Sequence, residues 1–198
     1  MSRLAYKSRI QIGYLVIFVL VTSMLAPYKV VSQTTSQPRL EVESDPLAFV
    51  FNGYSLHTAI TYSGFRTSLG VFAIETPDFL LQNDAFSVYT SGYDVKTDYL
   101  FGESSGFFTG IQLSYTTDKI ELKYSEENSD KLRSLNIGFR AGYRFMFGKI
   151  ENNYKGFYIS PWVALLYNPS AKTIWQDSQE YKQASWVPFP TIHLGWRF

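Results

Sequence analysis

From Tyr54 onward the chain is a succession of short runs in which apolar and polar side chains alternate residue by residue. Tyr54, Leu56, Thr58, Ile60 and Tyr62 stand against Ser55, His57, Ala59 and Thr61. Phe65, Thr67, Leu69, Val71 and Ala73 face Arg66, Ser68 and Gly70. The clearest run is Leu135, Ile137, Phe139, Ala141, Tyr143, Phe145 and Phe147 against Asn136, Gly138, Arg140, Gly142 and Arg144. Successive side chains on a strand point to opposite faces, so a period of two predicts β-strands with one apolar face and one polar face. Further runs cover Ser87–Phe101, Phe107–Tyr115, Phe157–Tyr167 and, more weakly, Ala171 to about Glu180. The last run, Pro188–Phe198, places Pro190, Ile192, Leu194, Trp196 and Phe198 opposite Thr191, His193, Gly195 and Arg197. These runs predict eight strands and an all-β fold.

Between the runs lie turn signals. Ser63-Gly64 and Asn168-Pro169-Ser170 read as turns, and 125–130 and 149–155 as polar loops. Asn52-Gly53 is either a hairpin turn or a bulge. Thr76-Pro77-Asp78 before Phe79-Leu80-Leu81 predicts one short helical turn, with Thr76 as N-cap and Pro77 at the first helical position. After Tyr115 the apolar positions change from odd to even numbers (Ile120, Leu122, Tyr124), which predicts a bulge near Thr117.

The N-terminal segment has a different pattern. Arg3, Lys7 and Arg9 precede an apolar run from Ile12 to Ala26, and Val30 and Ser32 are small enough for a cleavage site. Residues 1–32 are therefore read as a secretory signal peptide. Residues 33–46 are polar and read as a linker, leaving 47–198 as one barrel domain. Loss of residues 1–32 removes Arg3, Lys7, Arg9 and Lys29, leaving 14 basic and 17 acidic groups, a net of −3. That balance offers no basic surface for nucleic acid. Without cysteine there is no disulfide, thiol chemistry or Cys metal site.

The polar faces decide how the strands are arranged. Gly138, Arg140, Gly142 and Arg144 share one face, as do Asp94, Lys96 and Asp98. Small residues beside long charged ones suit the narrow interior of a closed barrel, where side chains fill the lumen and pair with each other. The expected lumen charge network is Arg66, Asp94, Lys96, Asp98, Arg140, Arg144, His193 and Arg197, five cations against two carboxylates besides the histidine. Asp94 and Asp98 are expected to pair with Arg140 or Arg144, with water or an anion serving the other cations. Tyr54, Tyr62, Tyr99, Phe101, Phe147, Trp196 and Phe198 end the apolar faces and fit aromatic girdles at the two interfaces of a bilayer.

A final alternating strand ending in Trp196 and Phe198, with this inside-out pattern over most of the chain, resembles the small outer-membrane β-barrels of the outer-membrane protein A and X type. The resemblance implies an antiparallel up-and-down transmembrane β-barrel in the bacterial outer membrane, in contact with membrane lipid and lipopolysaccharide. It also implies that Trp196 and Phe198 belong to a signal read by the barrel-assembly machinery. Such barrels serve many tasks, so the implied role is only structural or surface-interacting, with the lumen plugged by charged side chains. One feature fits poorly. Counting strands back from Phe198 puts the connections 75–86 and 117–132 on the periplasmic side, where such barrels use short turns.

For chemistry, Ser55, His57, Asp94 and His193 fall on polar faces, and a Ser-His-Asp arrangement can be drawn among them. His193 lies about 13 Å above the terminal rim, inside a narrow lumen, so the expectation is a polar network and not a catalytic site. No cofactor or metal is expected, since two histidines without close ligand spacing do not make a metal site. Two alternatives stand: a lipid-modifying membrane enzyme using His57 or His193, and a soluble exported barrel that binds an apolar ligand.

Overall fold

The computed structural model describes residues 37–198 except Gln82, Glu103 and residues 125–128. The signal peptide reading and the start of the linker, residues 1–36, lie outside the described residues. Among the described residues ten strands form: β1 (Arg39–Ser44), β2 (Tyr54–Tyr62), β3 (Phe65–Glu75), β4 (Phe86–Leu100), β5 (Gly106–Leu122), β6 (Ser129–Met146), β7 (Gly156–Tyr167), β8 (Thr173–Gln176), β9 (Gln179–Lys182) and β10 (Trp186–Arg197). Eight of them close an antiparallel barrel in the order β1-β10-β7-β6-β5-β4-β3-β2, and β8 and β9 make a separate hairpin. Closure leaves no exposed ladder around the lower barrel, because β1 pairs with both β10 and β2.

The strand number matches the expectation but its membership differs in two places. The segment read as a linker contains β1, whose Arg39-Leu40-Glu41-Val42-Glu43-Ser44 alternates over too short a span to stand out among polar neighbours. The weak run near Ala171–Glu180 is the β8–β9 hairpin and takes no part in the barrel. Its two-residue turn places Asp177 and Ser178 at positive φ, 45° and 64°, without the glycine that usually marks such a turn.

This exchange removes the misfit in the connections. At the lower rim, where β10 ends, β2 passes to β3, β4 to β5 and β6 to β7. At the upper rim β1 passes to β2, β3 to β4, β5 to β6 and β7 to β10. The long connections 75–86 and 117–132 thus lie opposite Phe198. The predicted helical turn is a 3₁₀ turn at Asp78–Leu80, with Pro77 and not Thr76 at its cap position. Asn52 is a turn residue with φ 52°, leading out of the helix α1 (Pro46–Val50) that joins β1 to β2.

The bulge at Thr117 is also corrected. Thr117 pairs with Ser91 and with Arg133 in an unbroken register, so even-numbered residues of β5 face inward throughout. What changes is the chemistry of the interior. Low in the barrel the inward residues are mostly polar or charged, with Leu100, Phe108, Trp162 and Ala164 forming an apolar cluster among them. Above, Phe86, Val88, Ile120, Leu122 and Leu132 form an apolar core closed by Tyr181 and Ile174 of the β8–β9 hairpin. The upper parts of β4, β5 and β6 therefore make a sheet extension with its inner face capped by that hairpin.

Candidate functional site: the charged barrel lumen

The glycines on inward faces make room for large neighbours. A Cβ on Gly70 would overlap the His57 ring, and one on Gly195 would overlap the Tyr158 ring. Small residues on one strand thus seat bulky polar groups from the next, which fills a narrow lumen.

Each residue of the expected network is buried in the lumen: Arg66, Asp94, Lys96, Asp98, Arg140, Arg144, His193 and Arg197. One expected pair, Asp98 with Arg140, is formed, and the other partners differ from those expected. The hub is Glu41 of β1. It meets Arg66 Nε at 2.8 Å, Arg144 Nη2 at 2.9 Å and Arg197 Nη2 at 2.6 Å. Glu43 lies 2.8 Å from Arg66 Nη2 and 2.9 Å from His193 Nδ1. Tyr158 Oη donates to Glu43 at 3.0 Å. Asp98 pairs with Arg140 Nε at 3.2 Å and Arg66 Nη1 at 3.3 Å, whereas Asp94 pairs with Lys96 Nζ at 2.7 Å and meets His57 Nε2 at 3.1 Å. Arg144 does not pair with either aspartate: it goes to Glu41 and lays its guanidinium 4.6 Å from the Tyr158 ring centroid. Arg140 stacks on Trp162 at 4.1 Å.

The excess of cations expected in the lumen is therefore absent. Among the described residues, Arg66, Lys96, Arg140, Arg144 and Arg197 are balanced by Glu41, Glu43, Asp45, Asp94 and Asp98, all buried. The three carboxylates missed from the sequence come from β1 and its extension. The signal was present as Glu41-Val42-Glu43-Ser44-Asp45, a two-residue alternation of acids against smaller residues. Uncompensated, each buried charge costs several kcal/mol, so ion pairs among nine of these charges, with Asp45 held by hydrogen bonds from Leu47 N–H and Thr191, make the interior tenable.

Higher in the lumen a second cluster forms. The His57 and His193 rings lie 5.0 Å apart, with Trp162 edge-on to His193 at 5.1 Å. Ser55 Oγ lies 3.2 Å from His57 Nδ1, on the opposite side of the ring from Asp94. The backbone N–H of Asp45 donates to Ser55 Oγ at 3.1 Å, and Thr191 Oγ1 donates to Asp45 Oδ2 at 2.6 Å. Ser55, His57 and Asp94, which the sequence allowed but did not place together, are thus in hydrogen-bonding sequence. Among the described residues no group of acids and histidines is arranged to hold a metal ion.

The outer surface of the barrel is the complement. Leu56, Ile60, Leu69, Val95, Ile111, Leu113, Ile137, Phe139, Leu165, Ile192 and Leu194 are exposed, with Phe139 at 76%. Near the lower rim, aromatic rings run in contact: Phe65–Tyr99–Phe101, Phe107–Tyr143–Phe145 and Phe147–Phe157. Tyr62, Trp196 and Phe198 are exposed at the same rim, and Tyr54 at the upper one.

No family model and no curated protein matches the sequence. Among solved structures, the chain is similar to a major outer membrane protein from Thermus thermophilus, with 12% identity and a TM-score of 0.43 over 82% of this chain and 100% of that one.

Proposed function

We propose that the protein is an integral outer-membrane β-barrel, closed to solutes at rest by its charged lumen, with a structural or surface-interacting role carried by its upper rim. The observation that carries this reading is the inversion of the lower barrel, apolar outside and ionic inside. A soluble barrel that stores an apolar ligand would need the opposite arrangement. From Leu135 to Phe147, at ~3.3 Å per residue and ~40° tilt, the apolar belt is roughly 30 Å tall, enough to cross a hydrocarbon core. A closed ladder suits that medium because around the lower barrel each strand is paired on both sides. The aromatic contacts at the lower rim match an interfacial girdle. The Glu41 hub supports closure, since it draws the Arg66, Arg144 and Arg197 side chains together across the lumen.

Two measurements test this. The folded protein should fractionate with the outer membrane and need detergent for extraction. Once reconstituted in planar bilayers, it should give no large steady conductance. Recovery in the soluble periplasmic fraction would overturn the membrane reading, and a large steady current would overturn closure.

A further inference from the structure

The barrel wall is incomplete in its upper half. β1 pairs with β10 only from Glu41 to Ser44, and with β2 only from Arg39 to Glu43. Above Ser44, β10 remains paired to β7 up to Trp186, and β2 remains paired to β3 up to Tyr54, but the two strands have no β1 between them. Pro188 and Pro190 lie on this unpaired stretch of β10, where a residue lacking an N–H costs the ladder nothing. The space is covered by α1 and by single hydrogen bonds: Ser44 Oγ and Asp45 N to Ser55 on one side, Thr191 to Asp45 on the other. Ala48 of α1 is buried, while Leu47, Phe49 and Val50 are exposed at 37%, 59% and 68%. The cover is tied to the wall by these bonds and, beyond α1, by Glu75 N–H to the Phe51 carbonyl and Asn52 Nδ2 to Glu75, and it presents apolar side chains outward.

Directly behind this cover lies Ser55–His57–Asp94. His57 can donate from Nε2 to Asp94 and accept from Ser55 at Nδ1, which makes the ring a base for the Ser55 hydroxyl. Gly70 is the seat that permits the His57 ring at this place. On the outer face of β2, β3 and β4, around Gly70 and Asp94, Leu56, Thr58, Leu69, Val71, Tyr93 and Val95 line an apolar groove. A polar, nucleophile-bearing cluster therefore lies buried behind α1 at the unpaired edge, on the inner side of a wall whose outer face carries a groove of acyl-chain character.

We infer that this gap is a lateral portal for an acyl-ester lipid of the surrounding leaflet, and that Ser55 is the nucleophile of an ester hydrolase. The inference rests on the membrane reading above, since only in a bilayer does the portal face lipid. The acyl chain lies along the groove and α1 swings aside to admit the ester. Ser55 Oγ attacks the carbonyl carbon while His57 Nδ1 takes its proton. The C–O bond to the lipid alcohol breaks, and His57 returns the proton to that oxygen. Water, deprotonated by His57, then cleaves the acyl-Ser55 ester to release a fatty acid and restore the hydroxyl. Asp94 is a positioning residue that holds the His57 tautomer.

The test uses the full chain refolded into vesicles of phosphatidylethanolamine and phosphatidylglycerol, and into the same vesicles carrying lipopolysaccharide. Heat-modifiable gel mobility verifies folding and insertion. The expected result is release of fatty acid, with the chain type identifying which lipid is cleaved, and covalent labelling of Ser55 by a long-chain alkyl fluorophosphonate. Ser55→Ala, folded by the same criterion, should lose the label and reduce release by roughly 100-fold or more. Asp94→Asn should lower kcat and leave KM unchanged. Inserted protein that releases no fatty acid and takes no label would overturn this inference while leaving the membrane reading intact. Cleavage of water-soluble short-chain esters without lipid cleavage would overturn lateral entry. Failure to insert would overturn both.

Discussion

β6 contains two chemical worlds on one uninterrupted strand. In its lower part the outward residues are Leu135, Ile137, Phe139 and Phe145, all exposed, and the inward ones are Arg140 and Arg144, both buried. In its upper part the outward residues are Lys131 and Arg133, and Leu132 points inward to a core with Phe86, Val88, Ile120 and Leu122. The register of β5 and β6 runs through both parts without a bulge. The pleat therefore fixes which side a residue faces, and the surrounding medium fixes what belongs there. Against water, an apolar interior is stable because apolar area leaves water. Against hydrocarbon, that driving force is absent. The interior is then free to be ionic, provided that charges pair.

The largest effect that would break this contrast is loss of the lumen hub. Glu41→Gln leaves Arg66, Arg144 and Arg197 without their shared carboxylate. The expected cost is about 3–5 kcal/mol in a refolding titration, a loss of the order seen when one partner of a buried pair is removed. A cost near zero would mean that the lumen is wet enough to solvate the Arg144 and Arg197 guanidinium groups without their carboxylate.

Next in size is a cation placed on the outer faces of the two regions. Phe139→Arg puts a charge in the belt and should destabilise the barrel by about 2–4 kcal/mol. Glu121→Arg, outward on the upper extension beside Lys119, should change stability by less than ~0.5 kcal/mol. Equal costs at the two positions would remove the distinction between the regions.

The smallest effect concerns the cap of the upper core. Burial beneath the β8–β9 hairpin holds the Asp118 carboxyl above the usual carboxylate range, with hydrogen bonds from Thr90 and Gln183 opposing that rise. Burial, and secondly Asp118, push the Tyr181 hydroxyl up to about 12. A carboxyl raised in the docked state favours docking in its protonated form. Docking is therefore firmest in acid and weakens as pH rises through the docked-state pKa of Asp118. Amide hydrogen exchange at Tyr181 and Lys182, corrected for intrinsic rates, should speed up as the pH rises above the usual carboxylate range. Asp118→Asn should flatten that dependence.

The barrel and most of its lumen were legible because alternation is a local signal. Arg66, Asp94, Lys96, Asp98, Arg140, Arg144, His193 and Arg197 could be assigned to one side from parity alone, and all are buried. What parity does not encode is the partner across the lumen. The pairings depend on the register between distant strands, as between Glu41 and Arg197. β1 was missed because its outward residues, Leu40 and Val42, are too few to outweigh the acids, and those acids are what the other strands' arginines require. The apolar interior above the belt was misread as a bulge because inside-polar was assumed to hold along the whole strand. Ser55, His57 and Asp94 lie on β2 and β4, and only the intervening Gly70 of β3, seen in place, explains how His57 reaches Asp94.

The central claim, that one pleated strand passes from water into lipid between Arg133 and Leu135, is open to direct measurement. The chain has no cysteine, so single cysteines at odd positions from Lys131 to Phe145 can each carry one nitroxide label in the refolded, vesicle-embedded protein. Relaxation by dissolved oxygen reports lipid contact, and relaxation by a water-soluble nickel chelate reports water contact. The account predicts nickel access at 131 and 133, then oxygen access without nickel at 135, 137, 139, 141 and 143. Nickel access along the whole row would contradict it.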